Sequence, residues 1–131
     1  MREILFRGKA VGSLKWVEGF YFREAGNFIK ELPSAVSTET HMVYEDTVGQ
    51  YTGLTDKNGN KIFEGDILGV GIVSGFVLYK NGCFVFRWKN NDKHRPDFYK
   101  DCILTNYGRF NELEAIGNIH DNKLEDFDNG N

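Results

Sequence analysis

The segment FVLYKNGCFVFRW (76–88) constrains the fold more than any other stretch. Two runs of β-favouring residues flank Asn81-Gly82. Both central residues of a type I′ turn need positive φ, which Asn and Gly tolerate, so the segment predicts a two-residue β-hairpin. The turn fixes the register: Lys80 with Cys83, Tyr79 with Phe84, Leu78 with Val85, and Val77 with Phe86. Tyr79, Val77, Phe84 and Phe86 then share one face, and Leu78, Val85 and Cys83 the other. Both faces are largely apolar, so the hairpin must be covered on two sides or curl into a barrel.

The rest of the chain follows the same pattern. KWVEGFYFRE and GNFIKEL predict two further strands with a tight link around Ala25-Gly26-Asn27, and HMVYEDTVGQYTGL is extended. LPSAVSTETH reads as a loop or one short helical turn. FYKDCILTNYG is ambiguous between strand and loop. ELEAIGNIHD has some helical propensity, but Gly117 and the β-branched Ile116 and Ile119 favour a closing strand. No segment sustains a 3.6-residue apolar period over three turns. The chain has 131 residues, the size of one domain, with 11 Phe, 6 Tyr and 2 Trp to fill a core.

Charge and cysteine usage narrow the class further. Residues 1–120 carry 15 basic and 15 acidic side chains, whereas residues 121–131 carry Lys123 against Asp121, Glu125, Asp126 and Asp128. The body is neutral and the whole excess of −3 lies in an acidic tail, expected to be solvated. The N-terminus has charges among its apolar residues and lacks a signal-peptide core, and no window has the apolar length of a membrane span. Cys83 and Cys102 fit free thiols in a reducing compartment. These features predict a cytoplasmic protein.

The stretch QYTGLTDKNGNKIFEGDIL (50–68) is the one place that suggests a ligand loop. Asp56, Asn58 and Asn60 alternate as the first three ligands of a calcium loop would, but the sixth position is Lys61 where Gly is needed and the twelfth is Ile67 where Glu is needed. An architectural role fits better. Asn58-Gly59 makes a tight turn, Gly65 allows a bend or a positive φ, and Asp66 accepts backbone N–H bonds there. The same stretch resembles the signature of the YopX-type phage and prophage proteins: a Tyr-Thr-Gly-Leu beginning at Tyr51, an Asp-Lys-Asn-Gly turn, and an aromatic-Glu-Gly-Asp-Ile. REILFRGKA at the N-terminus is similar to that family's opening strand, and LEAIGNIHDN resembles its closing Ile-Gly-Asn-Ile segment at Ile116–Ile119. The resemblance implies a phage or prophage source, a cytoplasmic location in a bacterial host, and a β-rich fold. In that fold an N-terminal β region (1–50) packs on an SH3-like barrel (51–121), followed by the tail (122–131). It implies no catalytic residues. The signature positions are Tyr51, Gly53, Leu54, Asp56, Asn58, Gly59, Gly65, Asp66, Ile116 and Gly117, all read as architectural.

Chemistry-bearing patterns are sparse. None of Ser13, Ser34, Ser37 and Ser74 sits in a Gly-x-Ser-x-Gly elbow, and His41, His94 and His120 stand far apart. Cys83, His94 and Cys102 lack the paired spacing of zinc ligands. GVGIVSG (69–75) has its third glycine one residue late for a dinucleotide loop, and no helix pattern follows. No enzyme activity, metal or cofactor is therefore expected. Two binding readings remain. The first is a protein-interaction or assembly module, a homo-oligomer among the options, drawing on the aromatic excess. The alternative is a small-barrel nucleic-acid binder using segment 80–100, where Arg87, Trp88, Lys89, Lys93 and Arg95 interleave cations with a ring. Neither reading calls for a membrane or a small-molecule substrate.

Overall fold

The computed structural model describes residues 4–31, 39–89 and 99–122. The chain is mainly β, with eleven strands among the described residues and three short 3-10 turns. The strands form two antiparallel sheets, ordered β4-β3-β2-β1-β5-β6 and β10-β9-β8-β7-β11. The chain divides into two compact units, residues 1–53 and 54–131. From sequence the division falls at 50/51; strand β5 runs through both positions.

In the first unit, β1 (Phe6–Lys9), β2 (Trp16–Arg23), β3 (Asn27–Glu31) and β4 (Thr40–Met42) form a meander, and β5 (Gly49–Thr55) pairs with β1 from the other side. The tight link expected between β2 and β3 is present, with Ala25 at φ 54°. Alternation along the strands sends Val17 and Ile29 into a core with Ala10 and Val43, against which Phe6, Tyr21 and Val48 pack. The stretch from 41 to 54, expected to be extended, is broken by a 3-10 turn at Glu45–Thr47. The Thr47 hydroxyl explains the break: it donates to the Tyr44 carbonyl (2.6 Å) and accepts from the Lys9 N–H (2.9 Å). A side chain that satisfies backbone groups in this way competes with the ladder. The loop expected at LPSAVSTETH lies largely outside the described residues.

In the second unit, β6 (Lys61–Phe63), β7 (Asp66–Val70), β8 (Val73–Lys80), β9 (Cys83–Lys89), β10 (Tyr99–Ile103) and β11 (Glu114–Asn118) carry the larger core. The β8–β9 hairpin has the register set by its turn, Lys80↔Cys83 through Val77↔Phe86, with Asn81 and Gly82 at φ 52° and 83°. Val77 and Phe86 are buried on one face, Val85 on the other. Ile62, Leu68, Val77, Phe86, Leu104 and Leu113 form the centre of this core. The ambiguous segment resolves into strand β10 followed by a 3-10 turn at Leu104–Asn106. β11 is the closing strand that Ile116 and Gly117 suggest. The five-stranded sheet is open as hydrogen-bonded, with β10 and β11 at its edges, so its ladders do not show the closure of an SH3-like barrel. No described helix is long and apolar enough to cross a membrane.

Candidate functional site

Most of the signature residues are gathered around two corners of the second unit. At the first, Asp56 is buried and its carboxylate accepts the N–H groups of Asn58 (2.9 Å), Asn60 (2.8 Å) and Ala115 (2.9 Å), and the Asn60 side-chain amide (3.3 Å). Gly59 turns the chain at φ 83°. The Asn58 side chain donates to the Glu114 carboxylate (3.2 Å), and the Lys57 N–H donates to the Leu113 carbonyl (3.0 Å). Burial alone raises the Asp56 pKa, but the backbone N–H donors of Ala115, Asn60 and Asn58 outweigh it and hold the carboxyl below its ordinary value. The carboxylate thus serves the turn's own N–H groups and ties the turn to β11, the architectural role read for it from sequence.

At the second corner Gly65 has φ 93°, donates to the Val77 carbonyl (2.8 Å) and accepts from the Ile119 N–H (2.8 Å). The buried Asp66 carboxylate accepts the Phe63 N–H at 2.7 Å. Ile116 and Gly117 sit where the β7–β11 register slips between Ala115 and Gly117, a bulge. Leu54 packs against the core of the second unit. In the first unit Tyr51 is buried and donates its N–H to the Leu5 carbonyl (2.7 Å), and Gly53 has φ 86°.

Between these corners lies an open groove of about 620 Å³. Its polar wall is Lys57, Ser74, Arg109, Asn111, Glu112 and Glu114. The charges neutralise one another. Arg109 grips Glu112 with two hydrogen bonds (3.0 and 3.1 Å), which raises the arginine pKa and lowers the glutamate's. Lys57 lies 3.6 Å from Glu114. Neither His41 nor His120 lines the groove, so Ser74 has no described imidazole at hand for activation.

The basic-aromatic segment is divided. Arg87 and Asp101 are ladder partners on β9 and β10 and form a bidentate pair (2.7 and 2.9 Å). Arg87 holds the Asp101 carboxyl below its ordinary value, despite partial burial and with help from Lys80. Trp88 is half-buried, stacked on Phe86 (5.5 Å between ring centres) and edge-on to Tyr107 (5.0 Å). Lys89 is exposed; Lys93 and Arg95 lie outside the described residues. Cys83 and Cys102 are free and half-buried, and burial pushes the Cys102 thiol up, away from the reactive thiolate.

Two features of the first unit carry no sequence motif. Cross-strand partners share a face, so Arg7 and Lys9 of β1, the even-numbered residues Trp16 to Phe22 of β2, Phe28 of β3 and Met42 of β4 lie on the side opposite the core. Phe22, Phe28 and Met42 form a row across three strands, with Phe22 and Phe28 stacked at 5.3 Å. The Arg7 guanidinium sits 4.8 Å from the Trp16 ring centre. On the core side, Glu31, Glu39 and His41 bring three ligand-type atoms within 4.8 Å of one another. Alternation in WVEGFYFR puts Trp16, Phe20 and Phe22 on one face, but Tyr21 on the other leaves the outward face undecided. Glu39-x-His41 is too short a pattern to have flagged the cluster.

Two open antiparallel sheets, glycine-bearing corners and self-neutralised surface charges define a β-rich protein whose best-marked residues serve its architecture. The YopX protein family model matches residues 14–125, and the chain belongs to that family. Membership points to a phage-type protein and assigns no biochemical activity. No curated protein matches the chain.

Proposed function

We propose that this is a non-catalytic accessory protein of phage or prophage origin, acting in the host cytoplasm by binding protein through the outer face of its first unit. The observation that carries this reading is the row Phe22–Phe28–Met42 with Phe20 beside it. Phe20, Phe22 and Met42 are 51%, 38% and 50% exposed, on strands β2 and β4 that flank β3 in one sheet. Contiguous exposed rings on a sheet face are unusual on a monomer and are enriched at interfaces. The architectural use of Asp56, Asn58, Gly59, Gly65 and Asp66 supports a non-catalytic role. The SH3-like character of the second unit belongs to the same reading, supported by its five-stranded sheet and the β7–β10 meander. Nucleic-acid binding ranks second, because Arg87 is already gripped by Asp101 and Trp88 is stacked into the core.

The test is sedimentation velocity across a wide concentration range, together with affinity capture from a host lysate. Wild type is compared with a Phe20→Ser/Phe22→Ser/Met42→Ser variant. Self-association or a discrete captured protein that the variant loses supports the reading. Identical behaviour of the two proteins refutes it. Fluorescence anisotropy with single- and double-stranded oligonucleotides at low and moderate salt is the second arm. Saturable, steeply salt-dependent binding lost in Lys89/Lys93/Arg95→Ala would replace this reading with the nucleic-acid one.

A further inference from the structure

Strands β3 and β4 place three potential ligands together. Ile29 faces His41 and Lys30 faces Thr40 in the ladder, and one step further the Glu31 N–H donates to the Glu39 carbonyl at 2.9 Å. Ile29, Glu31, Glu39 and His41 therefore share one face. Ile29 is fully buried in the core of the first unit, so the cluster lies at the rim of that core. His41 Nε2 is 3.2 Å from a Glu31 oxygen and 3.6 Å from a Glu39 oxygen.

We propose that Glu31, Glu39 and His41 bind a divalent transition-metal ion of the Zn²⁺ class. The convergence of one imidazole nitrogen and two carboxylate oxygens within 4.8 Å carries the inference. His41 already holds these groups together, by a hydrogen bond to Glu31 (3.2 Å) and an ion pair with Glu39 (3.6 Å), and tetrahedral ligands at bond lengths of about 2.0–2.2 Å stand roughly 3.3–3.6 Å apart, so an ion can replace the shared proton with little movement. One imidazole with two carboxylates suits Zn²⁺ or Mn²⁺; it lacks the thiolate that favours Cu⁺, and its imidazole is out of place in a Ca²⁺ cage. Charge points the same way. Carboxylates facing each other across a strand pair repel, and a dication between them reverses that term. The site is held on one side and open on the other. The His41 and Glu31 side chains are 26% and 34% exposed, whereas that of Glu39 is 70% exposed. Three protein ligands leave a fourth position for water or for a donor from a partner. The ion would clasp the three-residue strand β4 to β3, the strands whose opposite face carries Met42 and Phe28.

The experiment is isothermal titration of chelator-treated full-length protein with Zn²⁺, and in parallel with Mg²⁺. A Cys83→Ser/His94→Ala/Cys102→Ser/His120→Ala background removes the other Cys and His donors. The expected result is one saturable Zn²⁺ site per chain and no Mg²⁺ site. Glu39→Gln, at an exposed position where folding is not at stake, should weaken Zn²⁺ binding roughly tenfold or more, and His41→Ala should abolish it. Circular dichroism confirms that each variant is folded. The absence of saturable Zn²⁺ binding overturns the proposal. So does Zn²⁺ binding of unchanged affinity in both variants.

Discussion

Removing the Asp56 carboxylate should destabilise the second unit by about 3 kcal/mol. One side chain accepts three backbone N–H groups and one side-chain amide, and the Ala115 bond spans 59 residues of sequence. A hydrogen bond to a charged acceptor contributes about 1.5–3 kcal/mol net when its donor is shielded from water. Asn58 and Asn60 are exposed and water can replace most of what they lose, so they add little. The Ala115 N–H is half-buried on β11 and loses nearly the full amount. With the loss of the turn that Asp56 organises, Asp56→Ala should cost about 3 kcal/mol, and Asp56→Asn about half of that, because one acceptor oxygen remains. The assay is urea unfolding followed by tryptophan fluorescence in a Trp16→Phe background, so that Trp88 reports on its own unit. The dependence on pH has a definite sign. The carboxyl is held below its ordinary value in the folded state. Its contribution is therefore present above the unfolded pKa of about 3.9 and is lost as pH falls through the lower folded value. The gap between wild type and Asp56→Ala should be full at pH 7 and should narrow below about pH 4. A variant that unfolds with wild type at pH 7 would refute this account of the turn.

Three further outcomes follow from the geometry. Gly65→Val places a β-branched residue at φ 93° and should lower stability by roughly 1–3 kcal/mol in a thermal melt; no loss would mean the corner relaxes freely. Gly75→Ala would push a methyl group into the Arg87 carbonyl, and to within 2.8 Å of the Phe86 ring and 2.9 Å of Trp88 Cβ, so it should cost about 2 kcal/mol and perturb the Trp88 emission; an unchanged spectrum would count against that close packing. Asp101→Asn breaks a part-exposed bidentate pair and should cost about 1 kcal/mol at low salt and less at high salt; a cost independent of salt would show that the pair acts through shape and not charge.

What the sequence made legible were the turns. Asn81-Gly82 and Asn58-Gly59 announce themselves because positive φ is costly for most residues, and a two-residue turn sets the register of everything beside it. The non-local pairings were not legible. Nothing in Phe6 or Gln50 says that they are partners, nor does Glu114 declare Gly69, because ladder bonds are made by backbone that every residue carries. The Glu31–Glu39–His41 cluster escaped for the same reason: the β3–β4 ladder brings its members together, and no spacing rule describes that pairing.

The candidate binding face was hidden by a different ambiguity. In WVEGFYFR both alternating sets contain rings, so periodicity alone cannot say whether Tyr21 or Phe20 and Phe22 face the core. The observed packing decides it. A Cβ at Gly19 would collide with the Lys30 carbonyl, so the strand pair closes tightly there, and Val17 and Tyr21, on the same face as Gly19, pack into the core of the first unit. Phe20 and Phe22 are then turned outward. The family signature residues mark mainly the corners and bulge of the second unit, and none of Phe20, Phe22 and Met42 is among them. On the proposed reading, substitution of Phe20, Phe22 or Met42 changes the partner and leaves the signature intact, because none of the three lies in one of those corners. The triple serine variant should accordingly keep wild-type stability within about 1 kcal/mol while losing association. Loss of the fold in that variant would show instead that the outer rings belong to the core of the first unit.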